Sequence, residues 1–302
     1  MSVSVCIATY RRTDRLAVLL EDMEQQEVLP DEVVVVDNDA AGSARATVED
    51  FKRRSDRFPI TYEIQPERNI SQTRNRTVHL ANAEWMAFID DDERAPPQWL
   101  RLLLESAARF QADGVLAPVE PQLPATAPVW IRRGRFYDWP RVPTGTVVPL
   151  KHLRFGNVLL RGPLMREEPG PFDPAYGLST GEDGDLLLRL IDKGARIVWC
   201  DEALVWEPIE PKRMSMRWLL QRSLSGGQQA ARLALQGRYR RSNAVTRALL
   251  IPRWCAQLVM ALILAALSWP FGKHRAVAWL IKAWANLGKL SMLSRWRYSE
   301  YA

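Results

Sequence analysis

The sequence predicts an α/β fold: a mainly parallel sheet with helices on both faces, followed by a basic helical region. Three observations predict it. Short apolar runs alternate with segments of helical spacing from Val3 to Cys200. The runs are continuous rather than alternating with polar residues, as in strands buried on both faces. The charge pattern then breaks near residue 210.

Each element follows from its local pattern. Val3 to Thr9 reads as a buried strand. Asp14 to Gln26 has helical spacing through Leu16, Leu19, Leu20 and Met23. Glu32 to Asp37 is a second buried strand, with Asp37-Asn38-Asp39 at its end. Ala44 to Ser55 reads as a helix and Ile60 to Ile64 as a third strand. Ser71 to Ala83 is a helix, and Trp85 to Ile89 a fourth strand. Pro97 to Phe110 is a helix, and Gly114 to Ala117 a further strand. Val119 to Val148 is rich in Pro, Arg and aromatics. It reads as a long loop or small insertion over the sheet edge, a common place for acceptor-binding groups. His152 to Leu160 is expected as a strand and Gly162 to Thr180 as a Gly/Pro loop. A helix from Glu182 to Lys193 and a last strand from Arg196 to Cys200 complete this part.

Beyond Pro211 the character changes. Met214 to Gln236 is a helix candidate mixing basic and apolar residues. Trp254 to Phe271 is an uncharged run of 18 residues, flanked by Arg253 and by Lys273-His274-Arg275. Ala276 to Leu293 is a second apolar helix, interrupted by Lys282 and Lys289. Residues 211–302 hold 16 Lys and Arg against one acid, Glu300, a net +15; residues 1–210 hold 25 against 34, a net −9. The basic part also carries six of the 12 tryptophans. The division is therefore 1–210, an acidic globular domain, and 211–302, a basic, Trp-rich helical region. A polyanionic partner suits the latter: nucleic acid or an anionic membrane surface. The uncharged run and its Trp, Lys and Arg flanks favour the membrane; a buried core helix or a dimer interface is the other reading.

Composition excludes several classes. Cys6, Cys200 and Cys255 are far apart and form no CxxC pair, against a disulfide framework or structural zinc. Three scattered histidines exclude a His-rich metal site. The N-terminal stretch Met1 to Ala8 lacks a signal peptide's basic region, so the catalytic part is expected on the cytoplasmic side of the cell membrane.

The strand-then-acid run Trp85 to Glu93 is the most informative stretch. It sets Asp90, Asp91, Asp92 and Glu93 together at a strand's C-terminal end. Adjacent anions repel and lose hydration on burial, so a cation is expected among them. Mg²⁺ or Mn²⁺ bridging to phosphate oxygens fits; a solvated turn with helix-capping acids is the alternative. Ligands of open α/β sheets bind beyond the carboxyl ends of the strands.

Four signals then align. They are Ser4-Val5-Cys6-Ile7-Ala8-Thr9-Tyr10-Arg11-Arg12; Val35-Val36-Asp37-Asn38-Asp39; Thr73-Arg74-Asn75 followed by Phe88-Ile89-Asp90-Asp91-Asp92; and Gly181-Glu182-Asp183-Gly184-Asp185-Leu186 with Arg189. Over residues 2 to 210 the chain resembles the family 2 inverting glycosyltransferases of the GT-A fold, especially bacterial exopolysaccharide-type members. The resemblance implies a nucleotide-sugar donor. Thr9, Tyr10 and Arg11 would border its base and ribose, and Asp37 and Asp39 would flank the nucleotide pocket. Asn38 stands where many members carry Asp; its amide oxygen can accept from a uracil or thymine N3–H, leaving UDP and dTDP open. Arg74 and Asn75 match the pair before the metal strand, with Arg74 set to neutralise diphosphate. Asp92 is the implied direct metal ligand. Asp90 would contact ribose or metal-bound water, and Asp91 is grouped with the donor contacts. Asp183 is the implied base that deprotonates the acceptor hydroxyl, with Glu182 second. The segment Lys212, Arg213, Arg217, Trp218 lacks the Gln-x-x-Arg-Trp form of processive synthases, which disfavours a processive polymerase.

The expected activity is metal-dependent inverting sugar transfer to a lipid-linked or saccharide acceptor in cell-surface polysaccharide assembly. A polyprenyl-phosphate glycosyltransferase is the alternative enzyme. A nucleic-acid-binding module is the alternative of another class; no nucleic acid is expected. Self-association through the C-terminal helices remains open.

Overall fold

A computed structural model describes residues 1–168, 170–177, 181–235 and 249–294. The chain divides into two compact units. One comprises Met1–Pro121, Trp139–Gly177 and Glu182–Pro208; the other comprises Gln122–Asp138, Leu178–Gly181 and Ile209–Ala302.

The first unit is built on a seven-stranded sheet. Its strands are β1 (Val3–Thr9), β2 (Glu32–Asp37), β3 (Ile60–Ile64), β4 (Trp85–Ile89), β5 (Gly114–Leu116), β7 (Asn157–Arg161) and β8 (Ile197–Trp199). A separate two-stranded sheet pairs β6 (Val119–Gln122) with β9 (Val205–Pro208). The order is β3-β2-β1-β4-β7-β5-β8. β3, β2, β1 and β4 run parallel, as do β5 and β8. β7 is antiparallel to both neighbours, so the sheet is mainly rather than wholly parallel. From β1 the chain first moves out to β2 and β3, then returns to place β4 on β1's other side. That reversal opens a crevice at the carboxyl ends of β1 and β4.

Two cores explain the uninterrupted apolar strands. Val5, Ile7, Val33, Val35, Ala87 and Ile89 pack on one face against α1 (Thr13–Glu24), α2 (Arg45–Arg54) and α4 (Trp99–Arg109). The alternate residues Cys6, Val34, Val36, Met86 and Phe88 pack on the other, against α3 (Ile70–Leu80), α6 (Gly162–Arg166) and α7 (Glu182–Asp192). Side chains alternate across a strand, so a sheet covered twice needs apolar residues at every position.

Several expectations shift. The strand expected from His152 begins only at Asn157, because Leu150–His152 forms a 3₁₀ turn. The Gly/Pro segment contains α6 and a second 3₁₀ turn, Pro174–Tyr176; Pro169 and residues 178–180 lie outside the described residues. The 119–148 region is not a simple loop: it contributes β6 and the short helix α5 (Val129–Gly134).

In the second unit α8 spans Met216–Leu235, α9 Leu250–Ser268 and α10 Lys273–Ser291. Gln236, Trp296 and Glu300 lie outside the described residues. α10 packs on both α8 and α9. α8 and α10 meet at glycines: a Cβ on Gly227 would stand 2.0 Å from the Ala285 carbonyl oxygen, and one on Gly288 would stand 2.1 Å from that of Leu224. Only glycine permits this approach. α5 packs on α10, with Ile131 and Val277 in a small core with Met214 and Leu219.

Candidate active site

The end of β1 begins the site. Thr9 is buried and its Oγ1 donates to Asp91 Oδ2 at 2.8 Å. The Tyr10 ring faces two guanidiniums, those of Arg11 at 5.1 Å and Arg68 at 4.9 Å from its centroid. Arg11 has φ +53°, a left-handed conformation that a non-glycine residue adopts at a cost. From there it reaches Asp39 with Nε at 3.0 Å and Nη2 at 3.3 Å. This hydrogen bond holds the Asp39 carboxyl below its ordinary range.

The end of β2 is used differently. Asp37 is fully buried; Oδ1 accepts from Asp39 N at 2.9 Å, and Oδ2 from Ala44 N at 2.8 Å and Tyr62 OH at 3.0 Å. Asn38 Nδ2 donates to the carbonyls of Gln65 and Glu67, at 2.9 and 2.6 Å, and its Oδ1 accepts from Asn69 N at 3.0 Å. Both side chains fasten backbone around the site. The amide oxygen, which can accept from a uracil or thymine N3–H, accepts here from the N-cap residue of α3.

The acid run lies at the end of β4. Asp91 and Asp92 are buried, and Asp90 is half exposed at its side chain. Arg12 Nη1 lies 2.7 Å from Asp91 Oδ1 and 3.1 Å from Asp92 Oδ2; Arg15 Nη1 lies 3.5 Å from Asp92 Oδ2. The expected neutralising cations are therefore supplied at least in part by guanidiniums. Neither Arg12 nor Arg15 stands among the site residues read from sequence. Their signal was a pair of arginines shortly after the strand's carboxyl end: Arg12 is the N-cap residue of α1 and Arg15 lies in its first turn. Burial still raises the Asp91 carboxyl to about 6, with Arg12 opposing and Asp92 adding. Glu93 is buried and raised well above its ordinary range by burial, then by Asp90 and Glu207. Its Oε2 accepts from Asp90 N at 3.1 Å. Gly156, at φ +89°, leaves room for it, since a Cβ there would stand 2.8 Å from Glu93 Oε1.

α3 and α7 complete the cluster. Asn69 caps α3, its side chain accepting from Gln72 N at 3.1 Å. One turn on, Arg74 donates to Glu182 Oε1 at 2.6 Å and Asp90 Oδ1 at 3.1 Å, with Phe155 and Phe172 flanking its guanidinium. Asn75 points elsewhere: Nδ2 donates to the Phe172 carbonyl at 2.7 Å, and Oδ1 accepts from Phe172 N at 2.8 Å. It pins the segment carrying that ring. Glu182 is buried and its Oε2 lacks a hydrogen-bond partner among the described residues. Burial raises its carboxyl to about 7; Asp183 adds to this and Arg74 opposes it. Asp183 is half-buried, its Oδ1 accepting from Gly184 N at 2.7 Å. Asp185 pairs with Arg189 at 3.0 Å.

The structure thus forms two adjoining clusters, Thr9, Arg12, Asp91 and Asp92 in one and Arg74, Asp90 and Glu182 in the other, linked through the backbone of the acid run, while Asp37, Asn38 and Asn75 brace their surroundings. Among the described residues no three His, Cys, Asp or Glu side chains form a cage sufficient for a metal ion.

The comparisons with known proteins agree with this architecture. The family model described as glycosyl transferase family 2 matches residues 4–155. The succinoglycan biosynthesis protein ExoM of Rhizobium meliloti is 35% identical over 238 residues, 77% of this chain and 75% of that protein. The glucosyl-dolichyl phosphate glucuronosyltransferase of Haloferax volcanii is 25% identical over 248 residues, 75% of each chain. The mannosyltransferase PcManGT of Pyrobaculum calidifontis, solved in complex with GDP-Man and Mn²⁺, has the same fold: TM-score 0.67, 16% identity, 96% of this chain and 86% of that one. From its matched sequence and its GT-A fold, this chain belongs to glycosyl transferase family 2 and is a glycosyltransferase.

Proposed function

We propose that this enzyme moves a sugar from a nucleotide sugar, UDP- or dTDP-linked, to a lipid-linked or saccharide acceptor in cell-surface polysaccharide assembly, with inversion and with a divalent ion. The observation that carries the reading is the pair of ion clusters built on the acid run beyond β4, with Arg12 on Asp91 and Asp92 and with Arg74 on Asp90 and Glu182. It mixes anions that can hold a cation with cations that can hold diphosphate. The succinoglycan role named for the Rhizobium relative and the GDP-Man held by the Pyrobaculum structure support donor and pathway class.

The donor set suits Mg²⁺ or Mn²⁺. Asp90 and Asp92 offer hard oxygens, and two carboxylates are what such an ion takes when substrate phosphates provide the rest. When bound, the ion would stabilise the leaving nucleoside diphosphate as a Lewis acid. Arg74 holds Asp90 and Glu182 in place and carries charge toward the phosphates. Thr9 fixes Asp91. Tyr10, Arg11 and Asp39 form the base and ribose side of the pocket. Glu182 is committed to Arg74, which leaves Asp183, half-buried at the first turn of α7, as the base for the acceptor hydroxyl.

The C-terminal helices support a membrane location, which this reading takes as the cytoplasmic face of the cell membrane. Leu250–Phe271 covers 22 residues; its apolar window of 18 has mean hydropathy 1.8 and is 17% buried. At 1.5 Å per residue it is long enough, at about 30 Å, to cross a bilayer or to lie in its interface. Val259, Met260, Ile263, Leu267, Trp269 and Phe271 are exposed upon it. The glucosyl-dolichyl phosphate named for the Haloferax relative supports a lipid-linked saccharide acceptor. A polyprenyl-phosphate transferase, whose acceptor is the phosphate itself, is the second reading. An acceptor phosphate needs little base catalysis, so an active Asp183→Asn variant would select it.

The test is a panel of nucleotide sugars in thermal unfolding, with Mg²⁺, Mn²⁺ or excess chelator. One donor is expected to raise the Tm only with the ion, and Asp92→Ala should abolish both this shift and transfer. Undiminished transfer by Asp92→Ala in chelator would overturn the metal assignment.

A further inference from the structure

A cleft of about 510 Å³ runs along α9 and α10, lined by Arg253, Ala256, Gln257, Met260, Trp279, Lys282 and Asn286, with Ala261 at its floor. The spacing is that of one helical stripe on each helix: 253, 256, 257, 260 and 279, 282, 286. Lys289 continues the second stripe and donates to Asn286 Oδ1 at 3.0 Å.

The cleft's charge is unbalanced. Lys282 Nζ lies 3.9 Å from the Trp279 ring centroid, and neither it, Arg253 nor Lys289 has a carboxylate partner among the described residues. None is available nearby in sequence: residues 211–299 contain no Asp or Glu. In this unit Asp138 pairs with Arg135 and Glu210 with Lys212. Burial lowers the Lys289 ammonium from its ordinary range, and the charge of Arg253 lowers it further. Three cations therefore lie along one helix pair with no carboxylate partner among the described residues. Two amides, Gln257 and Asn286, stand beside them.

The wall opposite in character is apolar. Ala256, Met260 and Ala261 continue into exposed Val259, Leu262 and Ile263 on α9. A ligand matching both characters carries phosphate on a hydrocarbon chain. Nucleic acid has no use for the apolar wall.

We propose that this cleft binds the phosphate group of a lipid-linked substrate, with Arg253 and Lys282 on the phosphate oxygens, Trp279 and Asn286 at its side, and the lipid chain along Met260. The inference rests on the membrane reading above and assigns it a specific site. Guanidinium and ammonium together suit a phosphate whose oxygens carry more than one charge.

The test uses the full chain and sedimented vesicles of phosphatidylcholine containing phosphatidic acid, a phosphomonoester, or phosphatidylserine, a phosphodiester, matched in surface charge. The wild-type chain is expected to bind the phosphatidic acid vesicles about tenfold more tightly. Arg253→Gln with Lys282→Gln should remove that preference, and Arg253→Lys with Lys282→Arg should keep it. Lys273→Gln with Arg275→Gln, outside the cleft, should weaken both vesicles alike and leave the ratio intact. An unchanged ratio in the Arg253→Gln, Lys282→Gln variant overturns the cleft assignment while the membrane reading stands. A Tm raised by millimolar inorganic pyrophosphate with no preference between the two vesicles would make the ligand a free phosphate and overturn the lipid. Absence of vesicle binding by every version overturns the membrane reading and this inference with it.

Discussion

Arg74 and Glu182, separated by 108 residues, form a 2.6 Å ion pair whose partners are both nearly buried. The same guanidinium reaches Asp90 at 3.1 Å. One arginine on α3 therefore ties the acid run of β4 to the start of α7. Removing one member of a buried pair strands the other, which is worse than losing both.

Arg74→Ala should accordingly lower stability by about 3 kcal/mol, read from the midpoint of urea unfolding. Arg74→Lys should recover little, because an ammonium cannot span two carboxylates as the fork does. A lysine variant as stable as the wild type would show that charge alone, not the fork, matters here.

Asp183→Asn should slow transfer by about 10²- to 10⁴-fold with donor affinity nearly unchanged. Steady-state kinetics with donor and acceptor varied separately would separate the two effects. A near wild-type rate would move attention to Glu182 or to a phosphate acceptor.

A pH effect follows from Glu182. Its carboxyl is raised by burial to about 7 from an ordinary 4.5, with Asp183 adding and Arg74 opposing. Between these values the folded chain holds a proton that the unfolded chain has released. This group's contribution is thus fully present below about pH 4.5 and lost as the pH rises through about 7. Glu182→Gln cannot ionise, so its stability should fall less than the wild type's over that window. Denaturation series at several pH values measure the two slopes; equal slopes would mean that the carboxylate stays ionised beside Arg74.

The cysteines report on the membrane face. Cys6 and Cys200 are buried, and burial pushes the Cys6 thiol up to about 12. Cys255 is exposed on α9, with Ile251, Val259 and Leu262 at helical spacing from it. A maleimide should label one thiol of three in the native chain, counted by mass. Anionic vesicles should protect that thiol. Unchanged labelling on vesicles would place this face outside the lipid.

The sheet was largely legible because valine runs such as Glu32 to Asp37 leave few alternatives to a doubly covered strand. Strand direction was not, because hydrophobicity does not encode it. β7 has the apolar content of its neighbours yet runs antiparallel to both. α5 went unseen since a six-residue helix after Pro128 buries only Ile131. Within the site, residue types exposed the acid run, but partners distant in sequence fixed each role. Asn38 is an example: its amide is engaged by backbone at residues 65, 67 and 69, which no local pattern could disclose.

The glycine contact between α8 and α10 has a consequence for solvent choice. Helices held together by expelling water lose that driving force in hydrocarbon, whereas backbones pressed together through Gly227 and Gly288 gain from dispersion in either medium. The α8–α10 pair is therefore built from a type of joint that does not distinguish oil from water. The same helices can keep their pairing when lipid replaces solvent along their flanks.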